Sequence, residues 1–245
     1  LASRGAALVT GGGRRIGRAL VVAAADAGYD VAIHVRAADD DAEAAAAEVR
    51  ARGRRAAILA CDLRKESVTV ALVGEAEAEL GPVTLLVNCA SVFEPDAFGD
   101  MNRASWDSHM ETNLRAPLVL SQAFARRLPA DRDGLIVNIL DQRVWRPTPE
   151  FFSYSLSKAA LWDATRLMAQ ALAPRVRVNG IGPGPTLQSV HQDEAEFARE
   201  AASTLLGRPV PPGDIAAALR YLIDATSVTG QMIAVDAGQH LAPPS

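Results

Sequence analysis

The sequence predicts an α/β protein, a single-domain doubly wound parallel sheet with helices on both faces. Three observations carry this reading. Short apolar runs alternate with segments of helical character along the chain. The runs are apolar at consecutive positions, as strands covered on both faces are. No stretch rich in Pro, Gly or Ser divides the 245 residues into two halves. The right-handed crossover rule then leaves few topologies.

The first strand is Ala6–Thr10, an apolar run that stops at three glycines. A helix is expected from Arg15 to Ala27, closed at Gly28, where a left-handed residue ends it at little cost. Asp30–Val35 is the second strand, followed by an Ala/Glu/Arg helix over Asp41–Arg52 that stops at Gly53. Ala56–Ala60 is a third strand, Ser67–Leu80 a helix ended by Gly81-Pro82, and Val83–Val87 a fourth strand. The second half repeats the alternation less regularly. It has one long helix around Trp106–Leu128, a strand Leu135–Leu140, a helix Ser153–Leu172 and a strand Val176–Asn179. A helix Asp214–Ile223 and a strand Gln231–Val235 finish it.

Hydrophobic residues make up 49% and charged residues 22% of the chain, enough apolar material for a substantial core. A net charge of −4 offers no broad attraction to nucleic acid or an anionic membrane. No apolar run approaches the ~18 residues of a spanning helix, and no signal-peptide pattern stands at the front. Leu1 is not a natural start, so a few preceding residues are expected. Cys61 and Cys89 lie in apolar runs without metal-site spacing, so reduced buried thiols, a cytoplasmic setting and no metal are expected. Among the cations nearly all are Arg; only Lys65 and Lys158 are Lys.

Thr10-Gly11-Gly12-Gly13-Arg14-Arg15-Ile16-Gly17 lies between the first strand and first helix. Glycines there permit a sharp turn and close approach of a pyrophosphate to the helix N-terminus. An isolated glycine cluster serves an ordinary turn equally well; its place in a βαβ run favours a dinucleotide. The second strand ends His34-Val35-Arg36 without the acidic residue that accepts a ribose 2′-hydroxyl. Arg36, with Arg14, is placed for a 2′-phosphate, which points to NADPH/NADP+. Asp39-Asp40-Asp41 reads as an N-capping cluster on the second helix.

Tyr154 and Lys158 stand four residues apart, on one face of a helix. An ammonium near a phenol favours the phenolate and lowers its pKa. Such a pair on a surface helix is commonly just solvated. Here it follows a strand of a cofactor-type sheet, whose carboxyl-end crevice is where a ligand lies.

Taken together, these features resemble the short-chain dehydrogenase/reductase family over essentially the whole chain, implying a Rossmann-type sheet. The residues that carry the resemblance are the Thr10–Gly17 turn, Asp62, Asn88-Cys89-Ala90, Asn113, Tyr154/Lys158 and Pro183-Gly184. Two departures match the pteridine reductase branch: Arg15 replaces the middle glycine, and Asp141 replaces the usual serine after strand five. Ser91-Val92-Phe93 and Val178–Gly184 point the same way.

The resemblance implies cofactor contacts at Gly11, Arg14, Arg15, Ile16, Gly17, His34, Arg36, Asp62, Leu63, Asn88, Ala90, Ser91, Tyr154, Lys158, Pro183 and Gly184. Asp62 would touch the adenine, and Asn88 and Ala90 would line the adenosine side. Arg15, Ser91, Phe93, Asp141 and Tyr154 would meet the substrate, with Phe93 stacking a planar heterocycle against the nicotinamide. Asp141, Tyr154, Lys158 and Asn113 are the expected catalytic group, Asn113 supporting a water relay behind Lys158. Residues 186–207 are the expected substrate lid, and the family implies a homotetramer.

The chemistry can also be argued from the residues. Reducing a C=N bond needs a hydride on carbon and a proton on nitrogen, and a Tyr beside a carboxyl offers a donor with its own replenishing acid. Asp141 could equally be a turn cap, Phe93 a wall residue, and Arg15 a phosphate ligand alone. The expected activity is NADPH-dependent reduction of a pterin or folate-like heterocycle. A reductase of another carbonyl or imine, and a non-catalytic NADP(H) sensor, are the alternatives.

Overall fold

The computed structural model describes residues 4–242. Its seven strands are β1 (Ala6–Thr10), β2 (Asp30–Val35), β3 (Ala56–Ala60), β4 (Val83–Asn88), β5 (Gly134–Ile139), β6 (Val176–Pro183) and β7 (Met232–Val235). They form one parallel sheet in the order β3-β2-β1-β4-β5-β6-β7. The helices between them are α1 (Arg15–Asp26), α2 (Asp40–Ala51), α3 (Glu66–Leu80), α4 (Arg103–His109), α5 (Ala116–Arg127), α6 (Phe152–Leu172), α7 (Glu194–Ala202) and α8 (Pro212–Asp224).

Consecutive strand residues face opposite sides, so two cores form. Ala7 and Val9 of β1 pack with Leu20, Val49 and Leu219 from α1, α2 and α8. Ala6 and Leu8 pack with Leu72, Leu120 and Phe124 from α3 and α5, and with Ala169 of α6. The sheet runs outward from β1 through β2 to β3, then restarts beside β1 at β4. That reversal opens a crevice at the carboxyl ends of β1 and β4, where ligands of such sheets bind.

The expected elements are present within a residue or two at most ends. Three differences have physical causes. The single long helix expected over 106–128 is α4 and α5 joined by a π-helical turn, Met110–Arg115. Pro117, in the first turn of α5, has no N–H to give Asn113, so the ladder shifts there. The strand expected to stop at Asn179 continues as β6 to Pro183, pairing with β7 through Pro183↔Val235. The lid stretch contains α7, for which no helix was expected. Its capping box is legible afterwards: Asp193 accepts from Glu196 N–H while the Glu196 side chain accepts from Asp193 N–H.

Candidate active site

The crevice holds a cleft of about 1200 Å³, walled by the β1–α1 turn, the ends of β2 to β5, the start of α6 and residues before and within α7. The glycine turn is shaped for close packing. Gly11 has φ +65°, and a Cβ on Gly17 would lie 1.9 Å from the Gly11 carbonyl oxygen. No residue larger than glycine fits there. Arg14 caps α1 without a side-chain hydrogen bond, and no acidic residue stands in the first turn. The free N–H groups and helix dipole there suit an anion.

His34 lines the cleft and also supports the turn. Gly11 N–H donates to its Nδ1 at 3.3 Å, which leaves the hydrogen on Nε2, facing the Cys61 carbonyl at 3.1 Å. Burial lowers its pKa, so the ring stays neutral in this role. Arg14 and Arg36 are exposed at the same end, and among the described residues neither is ion-paired. Asp39 caps α2 by accepting from Ala42 N–H at 2.9 Å, and its neighbours Asp40 and Asp41 fill the first turn. The acidic cluster is therefore a helix start. Asp62 binds Arg64 through both carboxylate oxygens, at 3.0 and 2.6 Å, and Arg64 holds its pKa down to about 2. Leu63 is buried beside it, at the cleft wall. Pro183 and Gly184 close the far side at the end of β6, where Gly184 lies too near Asp236 to carry a side chain.

Asn88 is placed differently from expectation. It is buried in the sheet and donates to Asn138 Oδ1 at 2.8 Å, while Ala90 and Ser91 take the cleft wall. Asn113 also lies behind the wall. Its amide accepts from Val92 N–H at 2.8 Å and donates to the Val92 carbonyl at 2.9 Å, bracing the loop after β4 rather than meeting Lys158. Both cysteines are free and only partly buried by exposure, and desolvation raises each thiol to about 11.

Asp141, Tyr154 and Lys158 meet at one point. Tyr154 Oη donates to Asp141 Oδ2 at 2.7 Å, and Asp141 Oδ1 accepts from Arg143 N–H at 2.8 Å. Asp141 thus does both things weighed for it: it caps the turn Gln142–Val144 and receives the phenol. Burial raises its pKa, favouring a carboxyl that holds a proton. Lys158 Nζ donates to the Ile139 carbonyl at 2.8 Å and lies 5.8 Å from the centre of the Tyr154 ring. Burial lowers it to about 8.

The expected lowering of the Tyr154 pKa by Lys158 is overturned. Burial first, and then the charge and hydrogen bond of Asp141, raise the phenol well above its ordinary 10.0. The ammonium is turned to a backbone carbonyl, so the nearest titratable partner of the hydroxyl is Asp141, which opposes the phenolate whenever it is ionised. Tyr154 is held as a protonated donor.

Phe93 stands over this cluster. Its ring meets Tyr154 edge-on, centroids 4.7 Å apart, and stacks on Phe151 at 4.0 Å and 9°. Phe151 has φ +54°, uncommon for a bulky residue and typical of backbone constrained at a functional site. The Arg143 guanidinium lies 5.4 Å from the centre of the Phe151 ring. Neither Phe151 nor Arg143 was expected from the sequence; Arg143, two residues past Asp141, and the Phe151-Phe152 pair just before Tyr154 were the available signals. Ser91 is exposed at the same mouth, its hydroxyl 3.2 Å from Asn113 Oδ1. Arg15, also at positive φ, donates to the carbonyls of Leu187 at 3.0 Å and Gln188 at 2.9 Å. It ties the segment before α7 across the cleft mouth. Among the described residues no cluster of His, Cys, Asp and Glu could hold a metal, and no helix is long and apolar enough to cross a membrane.

Comparison with known proteins agrees with this architecture. The chain superimposes on the NADP-bound crystal structure of the alternative dihydrofolate reductase 1, FolM, from Brucella suis with a TM-score of 0.94 and 46% identity, covering 98% of this chain and 96% of that one. It is 36% identical over 242 residues to an uncharacterised oxidoreductase of Mycobacterium tuberculosis, covering 95% of this chain and 90% of the relative. It is 28% identical over 240 residues to the 3-oxoacyl-[acyl-carrier-protein] reductase FabG of Staphylococcus epidermidis, covering 96% and 98%. The short chain dehydrogenase family pattern matches residues 5–198. With that match, the parallel sheet and the Tyr154/Lys158 helix at its crevice, the chain belongs to the short-chain dehydrogenase family and is an oxidoreductase.

Proposed function

We propose that this enzyme uses NADPH to reduce a C=N bond in a pterin or folate-like heterocycle. The observation that carries the reading is the 2.7 Å hydrogen bond from Tyr154 to a carboxyl whose burial favours its protonated form. When bound, NADPH would supply the hydride that the substrate carbon accepts. Tyr154 gives its hydroxyl proton to the substrate nitrogen, and Asp141 returns a proton to Tyr154 from the open cleft. Lys158, anchored on Ile139, would hold the ribose end of the cofactor beside this pair.

The residues present fit such a cofactor. The Gly11–Gly17 turn leaves no room for side chains where the backbone meets the α1 N-terminus. Arg14 and Arg36 answer a 2′-phosphate, and Asp39, which caps α2, does not oppose it. Arg15, Ser91 and Phe93 form the substrate mouth, where a flat ring would stack on the Phe93 face not covered by Phe151. The segment 186–207 closes over it through Arg15. The NADP-bound FolM relative supports the heterocycle, while the FabG likeness keeps a carbonyl substrate as the second reading. The exposed Leu156 and Leu167 on α6 support pairing of that helix with another copy in a homotetramer.

The test is NADPH consumption with dihydrobiopterin, dihydrofolate, and a panel of ketones and 3-oxoacyl thioesters. Turnover of the pterin or folate, faster with NADPH than NADH, is expected. Turnover of carbonyl compounds alone would discard the heterocycle.

A further inference from the structure

Behind the Phe93 loop lies a buried polar chain that the proton relay does not use. Glu94 N–H points at His109 Nε2 at 3.2 Å, and His109 Nδ1 lies 2.7 Å from Ser153 Oγ. Ser153 Oγ bonds Asp96 Oδ2, whose other oxygen accepts from Ser153 N–H at 3.0 Å. His109 and Ser153 have no exposed surface. The direction of each bond follows from what each group can do. A backbone N–H only donates, so Nε2 carries the lone pair and Nδ1 the hydrogen. Ser153 then accepts from His109 and donates its own proton to the carboxylate.

This chain joins the two walls of the substrate mouth. Glu94 follows Phe93 directly, and Ser153 immediately precedes Tyr154. Asp96 ties the same ends together, accepting from Ser105 Oγ at 3.0 Å and giving its carbonyl to Phe152 N–H at 3.1 Å. The His109 and Tyr154 rings are 6.1 Å apart, so the imidazole also packs near the proton donor without bonding its hydroxyl. We infer that His109 is a positioning residue: by accepting from Glu94 and donating to Ser153, it sets the Phe93 ring at a fixed height above Tyr154 and so determines how tightly a flat substrate is held.

The neutral imidazole is the form this role needs, since a proton on Nε2 would face the Glu94 N–H. Burial works in that direction, lowering the His109 pKa against the opposing pull of Asp96, the Ser105 backbone and Glu94. The two bonds of His109 are unequal in consequence. Ser153 keeps both its bonds to Asp96 without His109, so Tyr154 stays in place. Val92 stays braced by Asn113 and the Phe93 carbonyl still faces His191 Nε2 at 3.1 Å, so it is the Glu94 end of the Phe93 loop that loosens.

His109→Phe keeps a ring and removes both hydrogen bonds; His109→Gln restores an acceptor toward Glu94. The kinetics use whichever compound the wild type turns over in the panel above, because the inference rests on Phe93 facing the substrate. Absence of pterin turnover by the wild type would count against that reading and leave the positioning role measurable on another substrate. Loss of this one partly buried hydrogen bond from the loop predicts a KM for substrate about tenfold higher in His109→Phe. Its kcat and its affinity for NADPH stay close to wild type, and His109→Gln recovers most of the KM. Equal losses in KM, kcat and NADPH affinity, or a Gln variant no better than Phe, would overturn the role.

A measurement on the unaltered protein covers the case in which His109→Phe does not fold. With only four histidines in the chain, nitrogen NMR of labelled imidazoles can resolve each ring. His109 is expected with hydrogen on Nδ1 and a bare, hydrogen-bonded Nε2. Hydrogen on Nε2 would exclude the bond from Glu94 and with it the inference.

Discussion

Replacing Asp141 with Asn separates the two jobs that its carboxyl does. Asn keeps one acceptor oxygen, for the Arg143 N–H that Asp141 Oδ1 accepts at 2.8 Å, and sets an amide NH2, a donor, where Oδ2 accepts from Tyr154 Oη at 2.7 Å. The turn cap is retained, while the acceptor facing Tyr154 and the exchangeable proton are lost. General acid–base assistance is commonly worth 10² to 10⁴ in rate, and Tyr154 can still give its own proton, so the lower part applies. A fall in kcat of about 10², roughly 2.7 kcal/mol of barrier, is expected, with NADPH affinity unchanged.

Stability should move the opposite way. The Asp141 pKa is raised in the fold above its ordinary 3.8, with burial as the main cause. A raised carboxyl favours folding fully below its unfolded pKa. That contribution is lost as pH rises from 3.8 through the folded value. Above that window the wild type carries a penalty that Asn does not. Asp141→Asn is therefore expected to melt higher than wild type at neutral pH, with less of a gap in acid. Stopped-flow NADPH oxidation together with melting curves across pH tests both halves. A variant that keeps wild-type kcat, or melts lower at every pH, would refute the carboxyl as a buried proton store.

Tyr154→Phe should abolish turnover and leave NADPH binding intact by fluorescence titration; normal turnover would remove the hydroxyl from the reaction. It also leaves Asp141 Oδ2 without its donor, so a stability loss of about 1–3 kcal/mol is expected by denaturant unfolding. Arg36→Ala should weaken NADPH by about tenfold to a hundredfold, one charge-assisted hydrogen bond, while NADH binding is unaffected; equal weakening would place the 2′-phosphate elsewhere. Gly17→Ala puts a Cβ 1.9 Å from the Gly11 carbonyl oxygen, so the turn must open. Calorimetry is expected to show loss of NADPH binding well beyond any fall in melting temperature, and retained binding would mean that the turn does not cradle the cofactor.

Much of the fold was legible because it is written in local pattern. A strand buried on both faces must be apolar at every position, and a helix between such strands must end at a residue tolerant of positive φ. Gly28 and Gly53 meet that requirement, at φ +97° and +71°. Asp39 reads as a cap because a carboxylate at that place has an N–H to satisfy. The Gly11–Gly17 turn is similarly local: chain sterics require its glycines before any ligand arrives. The 3.6-residue period alone puts Tyr154 and Lys158 on one face.

Other features depended on partners distant in the chain. Whether Lys158 lowers or raises the Tyr154 pKa is decided by where its ammonium points, and the carbonyl of Ile139 at the end of β5 takes it. The protonation of His34, at the cleft wall, is set by Gly11 and Cys61, which engage both its nitrogens. Asn88 likewise depends on Asn138 across β4 and β5, and Arg15 on the carbonyls of Leu187 and Gln188. The helix α7 forms in a stretch whose weak apolar pattern conceals its capping box. The sequence by itself determined the sheet, the crevice and the residue types that reach it, because these follow from period and backbone sterics. Only the tertiary structure decided which proton sits where, since desolvation and hydrogen-bond direction depend on neighbours that the chain brings together late.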